Sequence, residues 1–122
     1  MKHKINSVVD ACFDAEYNAG WRHDEEGMDT RTNPMFFSQK IALIHSELSE
    51  ALEGDRKDSM DKHLPHRDTR EVELADAFIR LTALAGAMNM DLGGAVVEKL
   101  AYNASRTDHT KEAREAANGK AY

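Results

Sequence analysis

Cysteine is almost missing from this chain. Cys12 stands alone among 122 residues, which excludes a disulfide framework and a thiolate zinc site. Long apolar runs are missing too, so nothing approaches the roughly 20 residues that a membrane span requires. The opening stretch MKHKINSVVDACFD has no apolar core and carries Asp10 and Asp14, unlike a signal peptide. The compartment expected is therefore the cytoplasm. Basic residues are outnumbered, 16 Lys and Arg against 22 Asp and Glu, for a formal net charge of −6. That balance argues against a nucleic-acid polymer as partner, because such affinity comes from clustered cations. It leaves room for a small phosphorylated ligand neutralised by a metal. Strand-like alternation, internal repeats and low-complexity blocks are absent as well.

What remains is helical periodicity in a single domain spanning residues 1–122. Ile5, Val8, Val9, Cys12, Phe13 and Tyr17 recur at three- and four-residue steps, predicting a first amphipathic helix over 5–19 that Gly20 ends. The polar stretch 21–34 reads as a loop, closed by Asn33-Pro34 as a helix opening. Phe37, Ile41, Ile44, Leu48 and Leu52 then form one apolar stripe, with Gly54 expected to stop the helix. A charged connector over 55–67 leads to Asp68, an N-cap with Glu71 completing a capping box, and to a third helix reaching about Asn89. A fourth helix should face inward through Leu92, Val96 and Leu100, and the charged, Ala-rich tail should fray or lie on a partner. The expected fold is all-α, an antiparallel bundle of four to five helices.

Two acidic pairs carry the chemistry: Glu47-x-x-Glu50 on the second helix and Glu73-x-x-Asp76 on the third. Spacing i, i+3 puts both members of a pair on one face. Such pairs are common in an acidic chain, and eight occur here; those at 55/58, 58/61 and 112/115 read as solvated. The other two border apolar stripes. Between Val72 and Met88 the only charges are Glu73, Asp76 and Arg80. Buried carboxylates are costly unless paired or holding a metal. Helix axes about 8–10 Å apart let such carboxylates meet, and all-oxygen ligation selects Mg²⁺ or Mn²⁺. A di-iron bundle would need Glu-x-x-His on two helices, and no Glu here has His three residues on.

Lys99, Asn103 and Arg106 follow one row on the fourth helix and suit phosphate oxygens beside a metal cluster. Trp21 could stack on a nucleobase or simply pin its loop. His45 reads as a hydrogen-bonded packing residue, His63 and His66 as exposed loop residues, and His23-Asp24 as a weak echo of phosphohydrolase metal motifs.

Taken together, these motifs resemble the MazG-like all-α nucleoside triphosphate pyrophosphohydrolases, a superfamily that includes dimeric dUTPases and dCTP pyrophosphatases. The likeness rests on Glu47-Leu-Ser-Glu50 and Glu73-Leu-Ala-Asp76 with 22 residues between them, on HSELSEALE around the first pair, and on Lys99-x-x-x-Asn103, across about Gln39 to Arg106. It implies Mg²⁺-dependent hydrolysis of a (deoxy)nucleoside triphosphate to monophosphate and pyrophosphate, by water attack on the α-phosphorus. Glu47, Glu50, Glu73 and Asp76 would be the catalytic and metal-holding residues, with Glu47 or Glu50 accepting the water's proton. Lys99, Asn103, Arg106 and Lys40 would steady the triphosphate. A homodimer or homotetramer is expected, through close helix approach at Ala77, Ala83, Ala85, Gly86 and Ala87. The alternative from another class is an acidic helical adaptor that binds a protein partner and turns over nothing.

Overall fold

A computed structural model describes residues 1–106 together with Glu112 and Glu115. Four α-helices follow one another: α1 (Lys2–Asn18), α2 (Phe36–Lys57), α3 (Thr69–Ala87) and α4 (Leu92–Ser105), with a 3-10 turn at Thr30–Thr32 before α2. Among the described residues there are no strands; isolated bridges His23–Asp29 and Met60–Asp68 brace the two long connectors. The protein is all-α, as the periodicity predicts. Helix α3 packs against both α2 and α1, while α4 lies chiefly on α1. Among the described residues no helix is long and apolar enough to cross a membrane.

Local chemistry sets most boundaries. Gly20, at φ +86°, turns the chain out of α1. The Asp68 carboxylate accepts from the Arg70 N–H at 2.8 Å and caps α3. Glu71 pairs with Arg67 instead of completing a capping box. Asp91 caps α4 through the Gly94 N–H at 2.9 Å and also accepts from the Asn6 side chain, which ties the start of α4 to α1.

Gly54 does not stop α2. The helix runs on to Lys57, and Asp58 ends it in the left-handed region at φ +48°. Gly54 is buried where α2 meets the start of α3: a β-carbon there would lie 2.6 Å from Thr69 Cγ2. Close helix approach, not termination, explains the glycine.

Burial on α3 follows its packing partners rather than side-chain size. Ala77, Ala83, Leu84, Ala85 and Ala87 are buried, while Leu74, Phe78, Ile79 and Leu81 stay exposed. The Ala/Gly surface read as a subunit contact is covered within the chain: a β-carbon at Gly86 would meet Phe13 Cβ at 2.8 Å, so α1 fills that groove. The α2 stripe is likewise only half covered. Ile44 and Phe36 are buried and Ile41 is partly so, but Phe37, Leu48 and Leu52 are exposed, because α2 has α3 as its one long neighbour. Leu100 of α4, expected inward, is 53% exposed. The expected arm at the C-terminal tail falls outside the described residues.

Candidate functional site

Helices α2 and α3 bring three of the four predicted acids together. One carboxylate oxygen from each of Glu47, Glu73 and Asp76 lies within 4.8 Å of the others. The juxtaposition follows from helix geometry. Glu73, Asp76 and Arg80 share the α3 stripe that meets α2, and Glu47 lies one turn beyond the buried Ile44. Glu50 is exposed and outside that group. It lines the same open cavity of about 810 Å³, together with Lys57, Lys62 and His63 from the end of α2 and the connector.

Crowding shows in the electrostatics. Burial, hydrogen bonding to Glu47, and the charges of Glu50, Glu47 and Asp76 push Glu73 up to about 8. Its Oε2 is buried and accepts no hydrogen bond. Asp76 is raised by burial and by Glu47, against the pull of Arg80. Arg80 offsets part of this excess, donating from Nε to Glu47 Oε1 at 2.9 Å.

Asp61 also raises Asp76. It is buried and accepts from the His63 and Leu64 N–H groups at 2.9 and 2.7 Å. Reading the 58/61 pair as solvated was therefore right only for Asp58. The Asp-Lys-His-Leu-Pro run is the turn-forming signal that reveals the difference.

A second cavity of about 450 Å³ flanks the carboxylates on their other side. Glu47, Asp76 and Arg80 border it with Lys40, Leu43, Ile79, Glu16 and Trp21. Trp21 is 67% exposed there. Its neighbour Arg22 holds the loop in place from within a stretch that reads as polar loop. Arg22 is 1% exposed, ion-paired with Glu16, and donates to Ala83 O at 3.3 Å. Its guanidinium lies between the rings of Phe13 and Phe36, at 5.2 and 5.5 Å. The loop thus has a buried anchor, and Trp21 stands beside it at the cavity mouth.

Other predicted residues lie elsewhere. Lys99 and Asn103 line a separate pocket with Ala95, Val96 and Leu100, bordering neither cavity at the acids. Lys99 and Arg106 stack on Tyr102 at 4.7 and 5.4 Å. His45 is exposed, with no hydrogen bond seen among the described residues, which corrects its reading as a packing residue. His63 and His66 are exposed loop residues as expected.

A donor set made only of carboxylates, with one buried oxygen lacking any hydrogen-bond donor, fits a hard divalent cation. In comparisons with protein-family models, curated proteins and solved structures, no match was found.

Proposed function

We propose that this protein is a metal-dependent nucleoside triphosphate pyrophosphohydrolase with a MazG-like helical bundle. The observation that carries the reading is the convergence of Glu47, Glu73 and Asp76 from two helices, between two cavities. Mg²⁺, or Mn²⁺ in its place, would be held by Glu47, Glu50, Glu73 and Asp76; it would supply charge neutralisation at the phosphates and lower the pKa of water.

The chain's own residues do the rest. The wider cavity, edged by Lys57, Lys62 and His63, suits the triphosphate. The narrower one offers Trp21, Leu43 and Ile79 to a base and Lys40 to a phosphate. Glu47 is engaged by Arg80. Glu50 holds no hydrogen bond or ion pair among the described residues, which favours it as acceptor of the attacking water's proton. Lys99, Asn103 and Arg106 reach a triphosphate only from a neighbouring subunit in this reading, so a homodimer or homotetramer belongs to it. Support comes from Leu74, Phe78 and Leu81, a row one turn apart on α3 that stays exposed.

The same exposed row also suits an acidic adaptor that binds a protein partner, the second reading. Incubation with Mg²⁺ and each common (deoxy)nucleoside triphosphate, followed by chromatography, separates the two. Monophosphate plus pyrophosphate supports the enzyme. Diphosphate plus orthophosphate refutes attack at the α-phosphorus, and no turnover of any triphosphate leaves the adaptor.

A further inference from the structure

Arg80 has a place in the acidic cluster that no sequence motif assigns. It is the one cation in direct ion-pair contact with the three converging acids among the described residues, its Nε donating to Glu47 Oε1 at 2.9 Å. Its side chain is 36% exposed and Glu47's is 13% exposed, so the pair spans the boundary between the cluster and the narrower cavity. Nη1 and Nη2 make no hydrogen bond among the described residues, and Arg80 lines that cavity beside Lys40. An arginine bonded to a metal-ligating carboxylate competes with the metal for the same oxygen. A guanidinium with both Nη groups free beside a lysine is suited to phosphate oxygens.

Resting on the metal-dependent reading above, we infer that Arg80 is an exchangeable counter-ion coupling cation binding to phosphate binding. It holds Glu47 in the metal-free protein, gives up the carboxylate when a divalent cation enters, and then donates to a phosphate oxygen of the ligand from the narrower cavity. Each ligand therefore assists the other: phosphate draws Arg80 away from Glu47, and the cation frees Arg80 for phosphate. The coupling is reciprocal by thermodynamic necessity. Among the described residues Arg80 is the one cation ion-paired within the Glu47, Glu73 and Asp76 group, so a counter-ion that can leave serves better than a fixed one.

The test is calorimetric titration of the intact protein with Mn²⁺ alone, and of the Mn²⁺-loaded protein with inorganic tripolyphosphate, for wild type, Arg80→Gln and Arg80→Lys. A charged hydrogen bond at a half-exposed site is worth enough to shift an equilibrium by roughly five- to tenfold. Arg80→Gln should bind Mn²⁺ alone more tightly by about that factor, and tripolyphosphate more weakly by a similar factor. Arg80→Lys, which keeps charge but loses the fork, should fall between. Unchanged or weaker Mn²⁺ binding by Arg80→Gln, with wild type binding Mn²⁺ normally, overturns the inference and leaves the metal reading intact; it would mean that Arg80 merely orients Glu47. If Arg80→Gln fails to fold, Arg80→Lys decides alone, and Mn²⁺ and tripolyphosphate affinities both equal to wild type overturn the inference. A wild type that binds no Mn²⁺ overturns both readings.

Discussion

Glu73→Gln tests the crowded cluster most directly, because it swaps a carboxyl for an amide of the same shape. In the folded chain Glu73 keeps its proton up to about 8, against an ordinary value of 4.5. An unfolded chain releases that proton near the ordinary value. Between the two, folding requires proton uptake, so stability falls as pH rises from about 4.5 to 8 and then levels off. At about 1.4 kcal/mol per pH unit the ceiling is roughly 5 kcal/mol. Solvent in the open cavity and interaction with the neighbouring carboxylates reduce the expected effect to about 2 kcal/mol.

The Glu73→Gln variant would escape this penalty, because its amide does not ionise. In chelator-containing buffer the two proteins should melt alike near pH 5. Near pH 9 the variant should melt about 6–10 °C higher. Mg²⁺ should reverse the order, since a cation at a hundred times its Kd stabilises the protein that binds it by about 2.7 kcal/mol. Thermal melts across pH 5–9, with and without Mg²⁺, provide the readout. A melting difference that does not change with pH would refute the crowding argument. Mg²⁺ stabilising both proteins equally would remove Glu73 from the metal site.

Other expectations follow from the same geometry. Glu50→Gln and Asp76→Asn should keep the fold and lower turnover at least a hundredfold, whereas Asp58→Asn and Glu112→Gln should change little; retained activity in the first pair would place the metal elsewhere. Gly54→Ala forces Thr69 aside from a 2.6 Å contact and should cost about 1–3 kcal/mol in urea unfolding; an unchanged midpoint would contradict the close approach of α2 and α3. Arg22→Met leaves Glu16 half-buried without its partner and should cost about 3–5 kcal/mol, much of it recovered in the Glu16→Met/Arg22→Met double variant. Phe78→Glu, on the exposed α3 row, should reduce the mass seen by light scattering if that row joins subunits; an unchanged oligomer moves the interface elsewhere.

The convergence of Glu47, Glu73 and Asp76, though not of Glu50, was legible because two local rules agree. Spacing i, i+3 fixes a shared face, and scarcity of other charge between Val72 and Met88 marks that face as unusual. Neither rule needs the tertiary structure. Arg22 and Asp61 are different. Each looks solvated in sequence, and each is buried through partners that helix periodicity does not address: Phe13, Phe36 and Glu16 for Arg22, and the His63 and Leu64 amides for Asp61. Connector residues are placed by the helices they join, so their burial becomes visible only after those helices pack.

The burial pattern on α3 has a related cause. Hydrophobicity says which faces avoid water, but side-chain size decides how near a neighbouring helix can come. Ala83 and Gly86 let α1 approach until the Gly86 backbone lies against Phe13, and Arg22 reaches the Ala83 carbonyl through the same gap. Leu74, Phe78 and Leu81 lie on another face of α3 and remain exposed, whereas Leu84, no smaller than Leu74, is buried on the packed face. A helix with small residues and Leu84 inward and a second row of large residues outward can serve two contacts at once, one within the chain and, in the proposed assembly, one beyond it. The acids lie between these two surfaces, on the α3 face turned toward α2. In the proposed assembly, closing the outer surface and completing the phosphate site with α4 of a neighbour would then be one event.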